Sequence, residues 1–368
     1  MAFDFNSLSG SEKVTAAYLA YYGRAADPEG RNFWATQLDG SGGDLSAIID
    51  AFGTAEEAVQ RFGALSNEAA VSTLFRDLFN READQDGLDF YVGELEAGRL
   101  TLQTIALDIL NGAVNDDADI ISNKLEVAGS FTDAIAASSA EASVANSRFI
   151  VSGVGANDSS VATANAMIPA LTGSSANVQV QGSVTEDGTA VTDVGETNGA
   201  LSIGAGDAGA FAATGGTVVR ATSENFDNFT FGVGGGTGLG IVRGNGSTLV
   251  AEGPNNSISV GPDGTGRLLV ENGADLEALQ LVAGFNGYLT APGRVPLLTH
   301  LDVMGTRLQF HIKGSRAALL SVDDHLIAIH VGAQCDPRNP GFGFGFGSGF
   351  DRLFRFTGLR GVRRLFPG

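Results

Sequence analysis

The segment Tyr22-Gly23-Arg24-Ala25-Ala26-Asp27-Pro28-Glu29-Gly30-Arg31-Asn32-Phe33-Trp34 returns 57 residues later as Phe79-Asn80-Arg81-Glu82-Ala83-Asp84-Gln85-Asp86-Gly87-Leu88-Asp89-Phe90-Tyr91. An aromatic, Arg, Ala, Asp, an acid, Gly and an aromatic pair keep identical offsets, and Leu38 and Leu95 extend the match. Self-similarity at a fixed period sets the unit of a fold, so roughly the first 135 residues read as a duplicated helical module.

Helical periodicity surrounds both copies. Val14, Ala17, Tyr18 and Tyr21 share one face, and Leu45, Ile48, Ile49 and Phe52 another. Val71, Leu74, Phe75, Leu78 and Phe79 make a third stripe, and Ile105, Ile109, Leu110 and Ala113 a fourth. The motif falls where one helix stops and the next starts. Gly23 suits the left-handed conformation that closes a helix, and Asn is the usual second choice, which fits Asn80. Asp27 before Pro28 reads as an N-cap before a first-turn proline, and Asp84 is the matching cap. Arg24 and Arg81 are placed to hydrogen-bond free carbonyls of the preceding helix. Phe33-Trp34 and Phe90-Tyr91 lie one turn into the new helix and read as core rather than as a sugar platform. Gly30 and Gly87 complete the structural motif.

The acids Asp27, Glu29, Asp84 and Asp86 also invite a Ca²⁺ reading. The loop lacks the third oxygen position and the distant bidentate Glu of an EF-hand, so helix capping is the preferred account.

The chain has 368 residues, a formal net charge of −20 and one cysteine, Cys335. The acidity argues against nucleic acid or anionic lipid as partner. One cysteine excludes an internal disulfide framework. No run of 18 apolar residues marks a spanning helix. Met1-Ala2-Phe3-Asp4 has no basic region or apolar core of a cleavable signal, so the chain is expected to be cytoplasmic or exported without an N-terminal peptide.

Composition divides the chain into a helical domain at 1–140, a Gly-rich β region at 141–292 and an atypical basic, Gly/Phe-rich tail at 293–368. The β region is read from Phe149-Ile150-Val151, Val178-Gln179-Val180, Thr217-Val218-Val219, Phe229-Thr230-Phe231 and Leu268-Leu269-Val270, separated by Gly/Asn/Asp turns. Gly232–Gly240 is read as a turn between strands rather than a phosphate loop, because no Gly-Lys-Ser/Thr follows. The tail holds all four histidines and the alternation Gly341-Phe342-Gly343-Phe344-Gly345-Phe346-Gly347. Its charge reversal favours a poorly ordered, unselected segment over a basic amphipathic end. The fold class is therefore α then β, with the β region a sandwich or a short parallel β-helix.

The tandem motif, with Asn111-Gly112-Ala113 and Asn123-Lys124-Leu125-Glu126-Val127-Ala128 behind it, resembles a bacterial helical domain of unknown function found in large exported proteins. It is also similar to the N-terminal region of type I secreted S-layer proteins of alphaproteobacteria. That resemblance implies a helical region that anchors to lipopolysaccharide or another surface glycan. Gly182–Gly188 with Gly199–Ile203 and Asp207–Phe211 is similar in part to VCBS-type β-sandwich repeats of adhesins. Gly244–Val250, Asn256–Gly261 and Gly264–Val270 resemble rungs of autotransporter-type parallel β-helices. The rung pattern supplies one or two clear coils, fewer than the roughly three a solenoid needs.

The expected function is a non-enzymatic cell-surface or secreted protein, S-layer- or adhesin-like, with self-assembly among its expected partners. The alternatives are a polysaccharide-modifying β-helix enzyme with a helical accessory domain, and a calcium-dependent assembly module. The β zone has no Lys and only four Arg, which argues against the enzyme.

Overall fold

The computed structural model describes residues 2–138, 140, 143–173, 178–190, 199–223, 228–253, 257–278, 280–283, 287–290, 300–303, 309–310, 317–322 and 325–330. It divides into two compact units: Met1–Val184 with Asp207–Ala212, and Thr185–Gly206 with Ala213–Gly368.

Among the described residues, the first unit holds ten α-helices: α1 (Gly10–Tyr22), α2 (Pro28–Gly40), α3 (Ser46–Thr54), α4 (Glu56–Phe62), α5 (Asn67–Phe79), α6 (Gln85–Glu96), α7 (Ile105–Asn111), α8 (Asp116–Ala137), α9 (Val144–Ser152) and α10 (Asp158–Thr172). The duplication is a duplication of structure. α1 and α5 have equal length, start from the caps Ser9 and Ser66, and end on left-handed residues, Gly23 at φ 61° and Asn80 at φ 56°. α2 and α6 start from Asp27 and Asp84, whose carboxylates accept from the amides of Gly30 and Gly87 at 2.6 and 2.8 Å. Each cap satisfies an amide that the first helical turn leaves without a partner. Tyr21, Ile48, Leu74, Leu78, Ile105 and Ile109 are among the large side chains sealed in one apolar core. The four stripes read from the sequence all contribute to that core.

The expectation of a strand at Phe149-Ile150-Val151 is overturned, because these residues lie within α9. A run of Phe, Ile and Val fits a buried helix as well as a buried strand. Here Ser143 caps the helix through the Asn146 amide, and α9 packs on α8.

In order, the strands of the chain are β1 (Val178–Gly182), β2 (Val184–Glu186), β3 (Thr189–Ala190), β4 (Leu201–Ala205), β5 (Ala208–Thr214), β6 (Val218–Thr222), β7 (Phe229–Val233), β8 (Thr237–Arg243), β9 (Thr248–Glu252), β10 (Ser257–Val260), β11 (Thr265–Glu271), β12 (Asp275–Glu277), β13 (Gln280–Ala283), β14 (Gly287–Thr290), β15 (His300–Val303), β16 (Gln309–Phe310), β17 (Ala317–Val322) and β18 (His325–His330). β2 and β3 form an antiparallel hairpin, as do β17 and β18.

Between β4 and β15 the parallel strands form a stack. β4, β7, β10, β13 and β15 pair in parallel as one column, β8, β11 and β14 as a second, and β6, β9 and β12 as a third. Leu201 pairs with Phe229 and Phe229 with Ile258, so one apolar position repeats inward coil after coil. This is the parallel β-helix of the two alternatives. The one or two coils read from the sequence are an undercount, since triplets of strands begin at Leu201, Phe229 and Ser257. The sandwich suggested for 182–211 also gives way where β4 joins the parallel column.

Glycine explains how adjacent columns come together. A Cβ on Gly238 would collide with the Gly232 amide and the Ile203 carbonyl, and one on Gly266 with the Gly261 amide and the Phe231 carbonyl. Gly234 to Gly236 turn the chain from β7 into β8, with Asp263 Oδ1 accepting from the Gly234 amide at 2.9 Å. The glycine run is thus a turn between strands.

Side chains beyond residue 278 lie outside the described residues, so the tail's His cluster, Cys335 and the Gly/Phe alternation do too. Among the described residues, no helix is long and apolar enough to cross a membrane.

Candidate functional site

The repeated turn builds two equivalent constellations in the helical unit. Arg24 spreads its guanidinium over the rings of Tyr18 and Tyr22, 5.0 and 5.3 Å from their centroids. Arg81 does the same over Phe75 and Phe79, at 5.3 and 5.8 Å. Each arginine then grips a carboxylate with two nitrogens: Arg24 takes Glu57 at 2.9–3.2 Å and Arg81 takes Asp117 at 2.6–3.0 Å. Both acids stand in the first turn of a later helix, where a carboxylate is also favoured by the helix dipole. Forked pairing and stacking together are what arginine does and lysine cannot.

This corrects the expectation for Arg24 and Arg81. Their backbone acceptors are Ala25 and Glu82, one residue onward, and not carbonyls of the helix before. A guanidinium that stacks on the two rings of its own helix points past that helix toward the next acid.

The two copies differ in their surroundings. Around the first turn, Glu57 also takes Arg148 at 3.3 Å, and Arg148 donates to the Tyr22 carbonyl at 3.1 Å. Burial, with Arg61 adding repulsion, pushes the Arg148 guanidinium down to about 10. Its Nε is sealed from solvent although the side chain as a whole is 35% exposed. Arg61 pairs with Asp77 and lies against Gly23, where a Cβ would stand 3.1 Å from Nη1. Around the second turn, the Asn80 carboxamide accepts from Lys124 Nζ at 2.9 Å and donates to the Val154 carbonyl at 2.7 Å. α9 and the residues after it therefore touch both turns, since the Ala25 amide donates to Ser147 O at 2.9 Å.

The aromatic pairs divide. Trp34 and Tyr91 pack inward, edge-on to Phe52 and Phe75. Phe33 and Phe90 turn outward, 56% and 57% exposed, each edge-on to its neighbour at 5.1 and 5.0 Å. The expectation that all four rings pack fails for Phe33 and Phe90. Successive residues of a helix point about 100° apart, so one ring of each pair must leave the core. The acids Asp27 and Asp84 serve as caps, and Glu29 and Asp86 lie in the first turns of α2 and α6. Among the described residues, no three His, Cys, Asp or Glu side chains converge as a metal would require.

A family model described as a domain of unknown function, DUF4214, matches residues 49–115. The matched segment runs from α3 through α7 and includes the second copy of the motif. No curated protein and no solved structure matches the chain.

Proposed function

We propose that this chain is a non-enzymatic surface or secreted protein whose helical unit holds a glycan of the bacterial envelope, with the sugar chain of lipopolysaccharide, rather than its anionic lipid, the leading candidate. The observation that carries this reading is the equivalent exposure of Phe33 and Phe90. A lone exposed Phe needs no explanation, but two at one offset of a duplicated unit make a repeated apolar feature. The inward rings differ between the copies, Trp34 against Tyr91, while the outward position is Phe in both. Flat rings of this kind suit the apolar faces of sugars, and two of them suit a polymer with repeating units through effective concentration.

The net charge of −20 and the parallel β-helix fit a protein that lives outside the cell. The enzyme alternative is less well supported by the pairing of Arg220 with Glu252 and of Arg243 with Glu271, which engages bases and acids of the β unit with one another. Retention of the full chain on immobilised outer-membrane glycan tests the proposal. It predicts retention well above that of an unrelated acidic helical protein, and equal retention would refute it.

A further inference from the structure

We infer that Asn115 is a self-modification site, at which the Asp116 backbone amide closes on the Asn115 side chain to form a cyclic imide with loss of ammonia. Asn115 precedes α8 with φ 53° and ψ −130°. Asn80 shares the positive φ, but its ψ of 22° belongs to the ordinary left-handed turn. The angles of Asn115 lie outside the regions that residues with a side chain occupy without strain.

That strain has a chemical consequence. In an L residue Cβ stands about 120° from the backbone nitrogen around the Cα–C bond, so a ψ of about −120° eclipses Cβ with the next nitrogen. The five-membered imide ring requires that eclipsed arrangement, and the Asp116 nitrogen stands within about 10° of it. The Asn115 carboxamide makes no capping hydrogen bond, and among the described residues nothing accepts from the Asp116 amide. Nucleophile and electrophile are adjacent and neither is engaged elsewhere.

The pair Asn157-Asp158 is an internal control. It has the same sequence, also opens a helix, α10, and is equally exposed. Its ψ of 147° turns the Asp158 nitrogen about 90° away from Cβ, and its carboxamide is occupied by the Ser160 amide at 3.1 Å. Asn111-Gly112 is disarmed differently, because the Gly112 amide donates to the Asp108 carbonyl at 2.9 Å.

In the step itself the Asp116 nitrogen attacks Cγ of Asn115 and gives its proton to solvent water. The tetrahedral centre expels Nδ2, which takes a proton from water and leaves as ammonia. One C–N bond forms and one breaks, with no change of oxidation state. Both residues are exposed, so water reaches both proton transfers. The ring holds ψ near its present value and so fixes the turn into α8, whose Asp117 is the acid that Arg81 grips.

Peptide mapping of the full chain after storage at neutral pH, with digestion in mild acid, tests the inference. The expected result is an Asn115-Asp116 peptide short by one ammonia, cleaved at that bond by hydroxylamine, beside an intact Asn157. Isoaspartate at Asn115 supports it equally, since water opening the ring produces it. Asn115→Gly, which suits the positive φ and has no side chain to cyclise, should abolish these signals. Unmodified Asn115 overturns the inference, as does aspartate without isoaspartate, which marks direct hydrolysis. Equal modification of Asn115 and Asn157 overturns it too, because sequence rather than backbone would then govern the reaction. In urea the preference for Asn115 should vanish, and its persistence there would count against the inference in the same way.

Discussion

Gly23 and Asn80 close equivalent helices in the same left-handed turn, at φ 61° and 56°, yet their neighbours make opposite demands on the side chain. Gly23 faces the Arg61 guanidinium, where a Cβ would be crowded, whereas the Asn80 carboxamide fills a polar gap between Lys124 and Val154. Exchanging the residues therefore separates backbone preference from packing. Asn80→Gly relieves a strained backbone by up to about 1 kcal/mol but abandons the buried Lys124 contact, whose loss costs about 1–3 kcal/mol. The expected net effect in urea denaturation is destabilisation. Gly23→Ala is expected to be worse, since it meets both the positive φ and Arg61.

Arg24 and Arg81 make the same contacts at different depths. Arg24 is 11% exposed and Arg81 41%. Removing Arg24 leaves Glu57 partly buried, with Arg148 at 3.3 Å, so Arg24→Ala is expected to cost about 2–3 kcal/mol. Arg81→Ala is expected to cost about 1 kcal/mol or less, as for an exposed pair. Chemical denaturation of the two variants checks the order, and added salt should weaken the Arg81 contribution more.

Alkaline pH should open the helical unit through its tyrosines. Burial raises Tyr22 and Tyr91 to about 12, and raises Tyr18 and Tyr21 further. A neutral phenol favoured by the fold contributes stability that is complete below the unfolded value of 10.0 and is lost as pH climbs toward the folded value. Arg148, pushed down to about 10, acts in the opposite sense over that range, because the unfolded chain holds its proton longer. Four phenols outweigh one guanidinium. A tyrosinate absorbance titration should therefore show these four ionising late and together with loss of helical circular dichroism.

Two glycines inside β8 and β11 should tolerate no side chain. Gly238 and Gly266 are limited by the backbone of the neighbouring column rather than by a positive φ. Gly266→Ala is expected to cost more than about 2 kcal/mol, in the range of overpacked sites. Gly206→Ala, where the space is open, should cost less and only through its φ of 73°. Thermal unfolding of the two variants compares them.

The caps were legible because they are local. Asp27-Pro28 and Asp84 declare themselves within four residues, as do Gly23 and Asn80. The arginine partners were not legible, because Glu57 and Asp117 lie 33 and 36 residues away and depend on how helices pack. The outward Phe33 and Phe90 could have been anticipated from helical spacing, since adjacent residues cannot share one face. α9 was hidden because Phe149-Ile150-Val151 carries no period that separates helix from strand. The first coil was hidden for a chemical reason: β5 reads Ala-Gly-Ala-Phe-Ala-Ala-Thr and has little of the β-branched character that marks a strand.

Trp34 is the only tryptophan and stands edge-on to Phe33, so it reports on that exposed ring directly. The most direct test of the glycan account is Trp34 fluorescence during titration of the full chain with purified lipopolysaccharide. The account predicts a saturable change that Phe33→Ala weakens and that Phe33→Ala with Phe90→Ala abolishes. An unchanged spectrum, with glycan retention undiminished in the double variant, would contradict it.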